Sequence, residues 1–141
     1  MNTGQNASRN MHSDSMLTLT ILPDSLAICR LKADDAVPDW VMIGEFVSIT
    51  HTGDELSIVC AEEHVPSDVK ADREWRALKV EGPLDLALTG VLAALANPLA
   101  EAQINIFAVS TFDTDYLLVK GYNLARACEV LRQAGHEIHR A

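Results

Sequence analysis

The chain has 141 residues, 48% of them hydrophobic and 22% charged, and carries a net charge of −9. That length supports one compact domain or two small modules sharing a core, and no apolar run approaches the ~20 residues that cross a bilayer. Between Asp34 and Glu74 eleven acids meet two bases, Lys70 and Arg73; so acidic a stretch repels phosphate backbones, and no Lys/Arg stripe interleaved with aromatics offsets it, which argues against nucleic acid as a partner.

The first 15 residues, MNTGQNASRNMHSDS, lack the apolar core of a secretion signal and read as a disordered leader. Met16 to Leu22 is rich in Leu, Thr and Ile, as a strand should be. Pro23-Asp24-Ser25 is turn material before a second apolar run, Leu26 to Leu31, so the pair predicts a hairpin. Asp34 to Met42, with Pro38 and Trp40, suits one or two helical turns. Phe46–Thr50 and Leu56–Ala61 flank His51-Thr52-Gly53-Asp54-Glu55 as a second hairpin. Glu62 to Arg73 is polar and holds Pro66, so it reads as a loop or short helix.

Trp75 to Val80 predicts another strand. Gly82 as N-cap, Pro83 as first helical residue and Asp85 in the first turn form a helix start. Apolar residues then recur at Leu84, Leu88, Val91, Leu92, Leu95, Leu99 and Ala102, one face of a helix that Pro98 must kink or split. Ile104–Val109 and Tyr116–Lys120 are strands joined by a polar turn carrying Asp113 and Asp115. Asn123 is placed to cap a second helix with Leu124, Cys128 and Leu131 facing inward, and Gly135 ends it. His136 to Arg140 supplies a last strand. Residues 75–140 thus read β-α-β-β-α-β, the split βαβ of a ferredoxin-like sandwich, and residues 16–65 repeat the strand order with weak helices.

Residue chemistry favours binding over bond breaking. Cys29, Cys60 and Cys128 are odd in number and widely spaced among apolar neighbours, which points to buried thiols in a reducing, cytoplasmic compartment. His136 and His139 stand three apart in a strand and so on opposite faces, a poor metal pair. No GxSxG, P-loop or GxGxxG occurs, so no catalytic residue, metal or cofactor is assigned. Amides at a helix start beginning at Gly82 can hold a carboxylate, and Asp113 or Asp115 across a pocket can hold an ammonium or guanidinium. Thr111 offers a hydroxyl, and Asn105 is a polar residue in an apolar strand. Asp113 and Thr111 equally suit plain turn chemistry.

Residues 82–120, GPLDLALTGVLAALANPLAEAQINIFAVSTFDTDYLLVK, with STFDTDYLLV as the most specific part, resemble the small tandem ACT-domain proteins of the CASTOR type, which are related to the arginine sensors of the mTOR pathway. The resemblance departs at Gln103, where the family usually has Gly. It implies an α+β fold of tandem ACT-like, ferredoxin-like βαββαβ modules, with antiparallel sheets and helices on one face. Residues 16–74 would be a degenerate N-terminal module and 75–141 a C-terminal one. It further implies a non-catalytic regulatory protein that binds a free amino acid, cationic ones included, and assembles through sheet edges as a homo-oligomer or with a partner protein. By resemblance the ligand contacts are Gly82, Pro83 and Leu84 after the first strand, and Asn105, Ile106 and Phe107 on the neighbouring strand. Asp115 matches the Asp that meets the ligand's cationic group. The alternative is an interaction protein that keeps the fold and has lost its ligand.

Overall fold

The computed structural model describes residues 16–82 and 90–141. The predicted leader, and Pro83, Leu84, Asp85 and Leu88 of the predicted helix start, lie outside the described residues.

The predicted hairpin at Met16–Leu31 is instead one strand, β1 (Thr18–Leu31). One edge of β1 pairs antiparallel with β4 (Ala71–Val80), from Leu19↔Val80 to Cys29↔Ala71. Its other edge is divided: Thr18–Ile21 runs parallel to β7 (Glu137–Arg140), while Leu26–Leu31 pairs antiparallel with β3 (Leu56–Ala61). Pro-Asp-Ser marks the place between those partners where the register with β4 shifts, between Ile21 and Ser25. A bulge tolerates a proline because no ladder amide is needed there. The Leu22 carbonyl, left without a ladder partner, accepts from Arg76 Nη2 at 3.0 Å.

β2 (Ser48–His51) pairs with β3 as the second predicted hairpin. β5 (Phe107–Ser110) and β6 (Asp115–Lys120) form another, and β6 pairs with β4. The order is β2-β3-β1-β4-β6-β5, with β7 beside β1. Among the described residues 71–82 and 90–140 the elements follow the predicted β-α-β-β-α-β order, with α1 (Val91–Glu101) and α2 (Leu124–Gln133) as the described helices. The last strand does not pair with the first of that unit, however, because β1 lies between β7 and β4. Both helices pack on one face of an α+β sheet: Leu95, Leu99, Ala127 and Leu131 meet Leu19, Leu78, Val80, Leu117 and Val119. A second cluster gathers Ala27, Cys29, Ile58 and Cys60 with Val41 of the 3-10 turn Asp39–Ile43. A third, Leu26, Val59, Trp75, Ala77 and Leu118, is flanked by Phe46, Phe107 and Tyr116. There the Phe46 and Tyr116 rings lie 4.8 Å apart.

α1 departs from expectation at three points. Gly90, at φ 80°, is left-handed and cannot belong to a continuous helix, so the helix begins at Val91. Leu92, predicted on the buried face, is exposed. Pro98 lies inside the helix without dividing it. A proline deprives the carbonyl four residues earlier, here that of Ala94, of its amide donor. His136 replaces it: Nε2 donates to the Ala94 carbonyl at 3.2 Å, and Nδ1 accepts the Leu17 amide at 3.0 Å. Those partners fix the Nε2–H tautomer of a ring that is 6% exposed. One buried imidazole thus ties the start of β1 to α1 and to the approach to β7.

Both helices end in the same way. The Ile104 amide donates to Leu99 O and the Gln103 amide to Ala100 O, while His136 N–H donates to Leu131 O and Gly135 N–H to Arg132 O. These are Schellman closures. Gly135 takes φ 101° and Gln103 takes φ 61°, so the left-handed cap forms at Gln103 without glycine. Asn123 does not cap α2 with its side chain; it ends a 3-10 turn, Gly121–Asn123, that leads into the helix.

Two measurements follow. His136→Ala strands two part-buried backbone groups, the Leu17 amide and the Ala94 carbonyl, and chemical denaturation is expected to show a loss of about 0.5–1.5 kcal/mol for each. Gln103→Gly removes left-handed strain of about 1–2 kcal/mol, partly offset by glycine's added freedom in the unfolded chain. It is expected to raise the melting temperature.

Candidate ligand-binding site

The β5–β6 turn is built by Thr111. Its amide donates to Thr114 O at 2.8 Å and its hydroxyl to the same carbonyl at 3.0 Å; Thr114 N–H donates to Thr111 Oγ1 at 3.3 Å. Thr114, 4% exposed, then donates through Oγ1 to Val80 O at 2.6 Å. This hook fastens the turn to the last residue of β4. It brings Asp113 and Thr114 beside Lys79 and Gly82, and the four line a cavity of about 210 Å3. That is below the ~300–1,000 Å3 typical of drug-sized clefts, a scale suited to one small molecule. Among the described residues neither Lys79 nor Asp113 has a hydrogen-bonded or ionic side-chain partner.

The predicted residues are divided among several places. Gly82 and Asp113 line the cavity. Thr111 is spent in closing the turn. Asp115 is the first residue of β6, half-buried opposite Ser110, and does not line it. Asn105 is exposed, and Ile106 packs against the helix-side core. Phe107 stacks edge-on to Trp75 at 6.4 Å and, with Ala108 to Ser110, borders a separate cleft of about 190 Å3 facing β2 and β3. Pro83 and Leu84 lie outside the described residues. Lys79 was not singled out by the sequence patterns. Its signal is strand alternation: Leu78 and Val80 are buried, so the residue between them points away, three positions before Gly82.

A matching turn occurs in the first half. Thr52 N–H donates to Glu55 O at 3.0 Å, and Glu55 N–H to Thr52 Oγ1 at 3.2 Å. Thr52-Gly53-Asp54-Glu55 thus corresponds to Thr111-Phe112-Asp113-Thr114. Arg30 stands opposite Ser57, one pair in from its turn, as Lys79 stands opposite Tyr116. This copy is closed by its own side chains. Arg30 Nη2 donates to Asp54 O at 3.0 Å, and His51 Nε2 bonds Ala33 O at 2.9 Å.

No group of three or more His, Cys, Asp or Glu suited to a metal occurs among the described residues. All three cysteines are buried and unpaired. The side-chain interaction between Cys29 and Cys60 pushes the Cys60 thiol up and the Cys29 thiol down, with burial adding to the first and opposing the second; burial raises Cys128. None is among the described residues that line the Lys79–Asp113 cavity, which presents two opposite charges.

Residues 70–133 match the family model of the ACT domain, and residues 24–68 match a second model described as an N-terminal domain. The cytosolic arginine sensor for mTORC1 subunit 1 of Bos taurus is 28% identical over 111 residues, covering 66% of this chain and 34% of that protein. This chain therefore spans about a third of that relative's length. A crystal structure of an Agrobacterium tumefaciens protein is 43% identical with a TM-score of 0.84, over 89% of this chain and 94% of that one. Aspartate kinase of Clostridium acetobutylicum, 10% identical, shares the fold with a TM-score of 0.59 over 79% of this chain and 33% of the kinase.

Thr114→Val keeps the shape of the side chain and removes its donor to Val80. It is expected to cost about 1–3 kcal/mol by denaturant titration, because the Val80 carbonyl is left unpaired.

Proposed function

Because the chain is an ACT-domain protein of the CASTOR type, we propose that it is a non-catalytic regulator that binds a free amino acid in the cavity between Lys79 and Asp113. The Lys79 ammonium holds the ligand's carboxylate and Asp113 its α-ammonium, while Gly82 leaves room at the β4 exit. Asp115, two residues along, is available to a cationic side chain. The observation that carries this reading is the contrast between two matching turns. Arg30 closes the first onto its own backbone and His51 ties it to Ala33 O, while the second presents two opposite charges to a cavity, neither with a side-chain partner among the described residues.

In this reading residues 16–74 and 75–141 are tandem modules, the first degenerate, and the repeated Thr-x-Asp-x turn with its opposing base supports the repeat. The protein acts in the cytoplasm, and its output passes to a partner or a second copy through the free edges β2 and β5. A second reading, an interaction protein without a ligand, is favoured by Phe112, which stands 81% exposed at the tip of the same turn.

Calorimetry and melting curves against the free amino acids, arginine and lysine included, separate the two. A ligand at ~100 times its Kd adds about 2.7 kcal/mol of stability. Asp113→Asn and Lys79→Gln should each weaken binding about 10- to 100-fold, the scale of one charge-assisted hydrogen bond of ~1.5–3 kcal/mol. No shift with any amino acid at millimolar concentration would leave the interaction reading.

A further inference from the structure

The bases of this acidic chain are not spread evenly, and three of them share one concavity remote from the Lys79 cavity. Lys70 and Arg73 are the two bases between Asp34 and Glu74. Both line a shallow cavity of about 480 Å3 with Arg30, Ile28, Ala71 and Asp72. The β1–β4 pairing holds them together, since Cys29 lies opposite Ala71 and the Arg30 amide donates to Lys70 O at 2.9 Å.

The two guanidinium groups are oriented by backbone. Arg30 Nη2 donates to Asp54 O at 3.0 Å, and Arg73 Nη2 donates to Pro66 O at 2.9 Å. A guanidinium has five N–H donors. Among the described residues the remaining side-chain donors of Arg30 and Arg73, and all those of Lys70, have no acceptor, and none of the three forms an ion pair. The one carboxylate in the cavity is already engaged: Asp72 Oδ1 accepts from Lys120 and from Trp75 Nε1. Lys120 foremost holds the Asp72 carboxyl below its usual range, so it stays ionised and paired to that lysine.

Three cations without an ion-pair partner among the described residues line one concavity in a protein of net charge −9, which favours an external counter-charge, and guanidinium forks match the oxygens of a carboxylate or phosphate. We infer that the Arg30–Lys70–Arg73 concavity is a second ligand site, for a small multivalent oxyanion. Phosphate esters and polycarboxylates share that chemistry.

The test is isothermal titration of the full chain with pyrophosphate and with citrate, at ionic strength matched with chloride. Saturable binding of either is expected, and the tighter probe names the source. Lys70→Gln, an exposed side chain with no bond of its own among the described residues, should weaken it at least 5-fold. Lys70→Gln/Arg73→Gln should abolish it while the double variant still melts cooperatively. Lys32→Gln, an exposed lysine outside the cavity, and Asp113→Asn should leave it unchanged, which separates this site from the amino-acid cavity. No saturable binding of either probe, or equal loss with Lys32→Gln, overturns the inference.

Discussion

The structure depends on β1 remaining a single strand while changing partners. The fourteen-residue strand Thr18–Leu31 pairs with β4 along one edge, from Leu19 to Cys29, and divides the other edge between β7 and β3. A strand must satisfy its amides and carbonyls wherever it is buried, so the change of partner has to fall at a defined point. It falls at Leu22–Asp24, where Pro23 has no amide to satisfy and Arg76 supplies a donor for the Leu22 carbonyl. Two hydrophobic clusters therefore form on either side of one bulge: Leu19 and Ile21 belong to the helix-covered core, and Ala27 and Cys29 to the cluster around Val41. Neither half has a complete sheet without this strand.

That constraint explains what the sequence conceals. Pro-Asp-Ser is the vocabulary of a turn, and local pattern does not distinguish a chain reversal from a bulge in a strand whose partners are 25 or more residues away. The position of β7 was hidden for the same reason: the βαββαβ pattern was legible, but its pairing with a strand from outside the unit was not. Features with local causes read correctly. Leu124, Cys128 and Leu131 face inward, Gly135 closes α2, and Phe46–Ala61 folds as a hairpin. Pro98 is an instructive middle case. Its effect on the helix ladder was foreseen, but the compensating donor, His136, comes from a residue 42 positions from Ala94. Gln103 shows the reverse, since a Schellman closure with Leu99 and Ile104 both buried holds a non-glycine residue at φ 61°.

The candidate site was half legible. Gly82 and Asp113 were named from helix-start and turn chemistry, and the structure brings both to one cavity. The positive pole was sought in helix amides because a glycine–proline pair is a strong start signal. The described helix begins only after Gly90, and the cation at the cavity is a strand residue, Lys79. Its side in the sheet follows from alternation, but its neighbours follow from the β4–β6 register. The contrast with Arg30 was also beyond sequence reading, because the relation between the two turns appears only when their hydrogen bonds are compared. Arginine's longer fork reaches back to the Asp54 carbonyl; no bond from Lys79 to the described Asp113 carbonyl is formed.

The location of the cavity also says how an occupant would be felt. Asp113 sits on a turn whose Thr114 hydroxyl bonds Val80 O, and Val80 faces Leu19 across the central pair. The next amide, of Glu81, donates to Thr18 O at 2.8 Å, and Thr18 begins the pairing with β7. From the Asp113 turn to the divided edge of β1 there are thus two backbone steps, each through a bond buried or within the sheet. A ligand changes the balance of two arrangements only through a difference in its affinity for them. Here the groups that create such a difference, Lys79 on β4 and Asp113 on the β5–β6 turn, belong to elements held in register by that hydroxyl bond. Drawing the two charges together tightens the same corner at which β1, β4 and β7 meet. An occupant is therefore expected to act along β1, toward the Thr52–Glu55 turn that Arg30 closes.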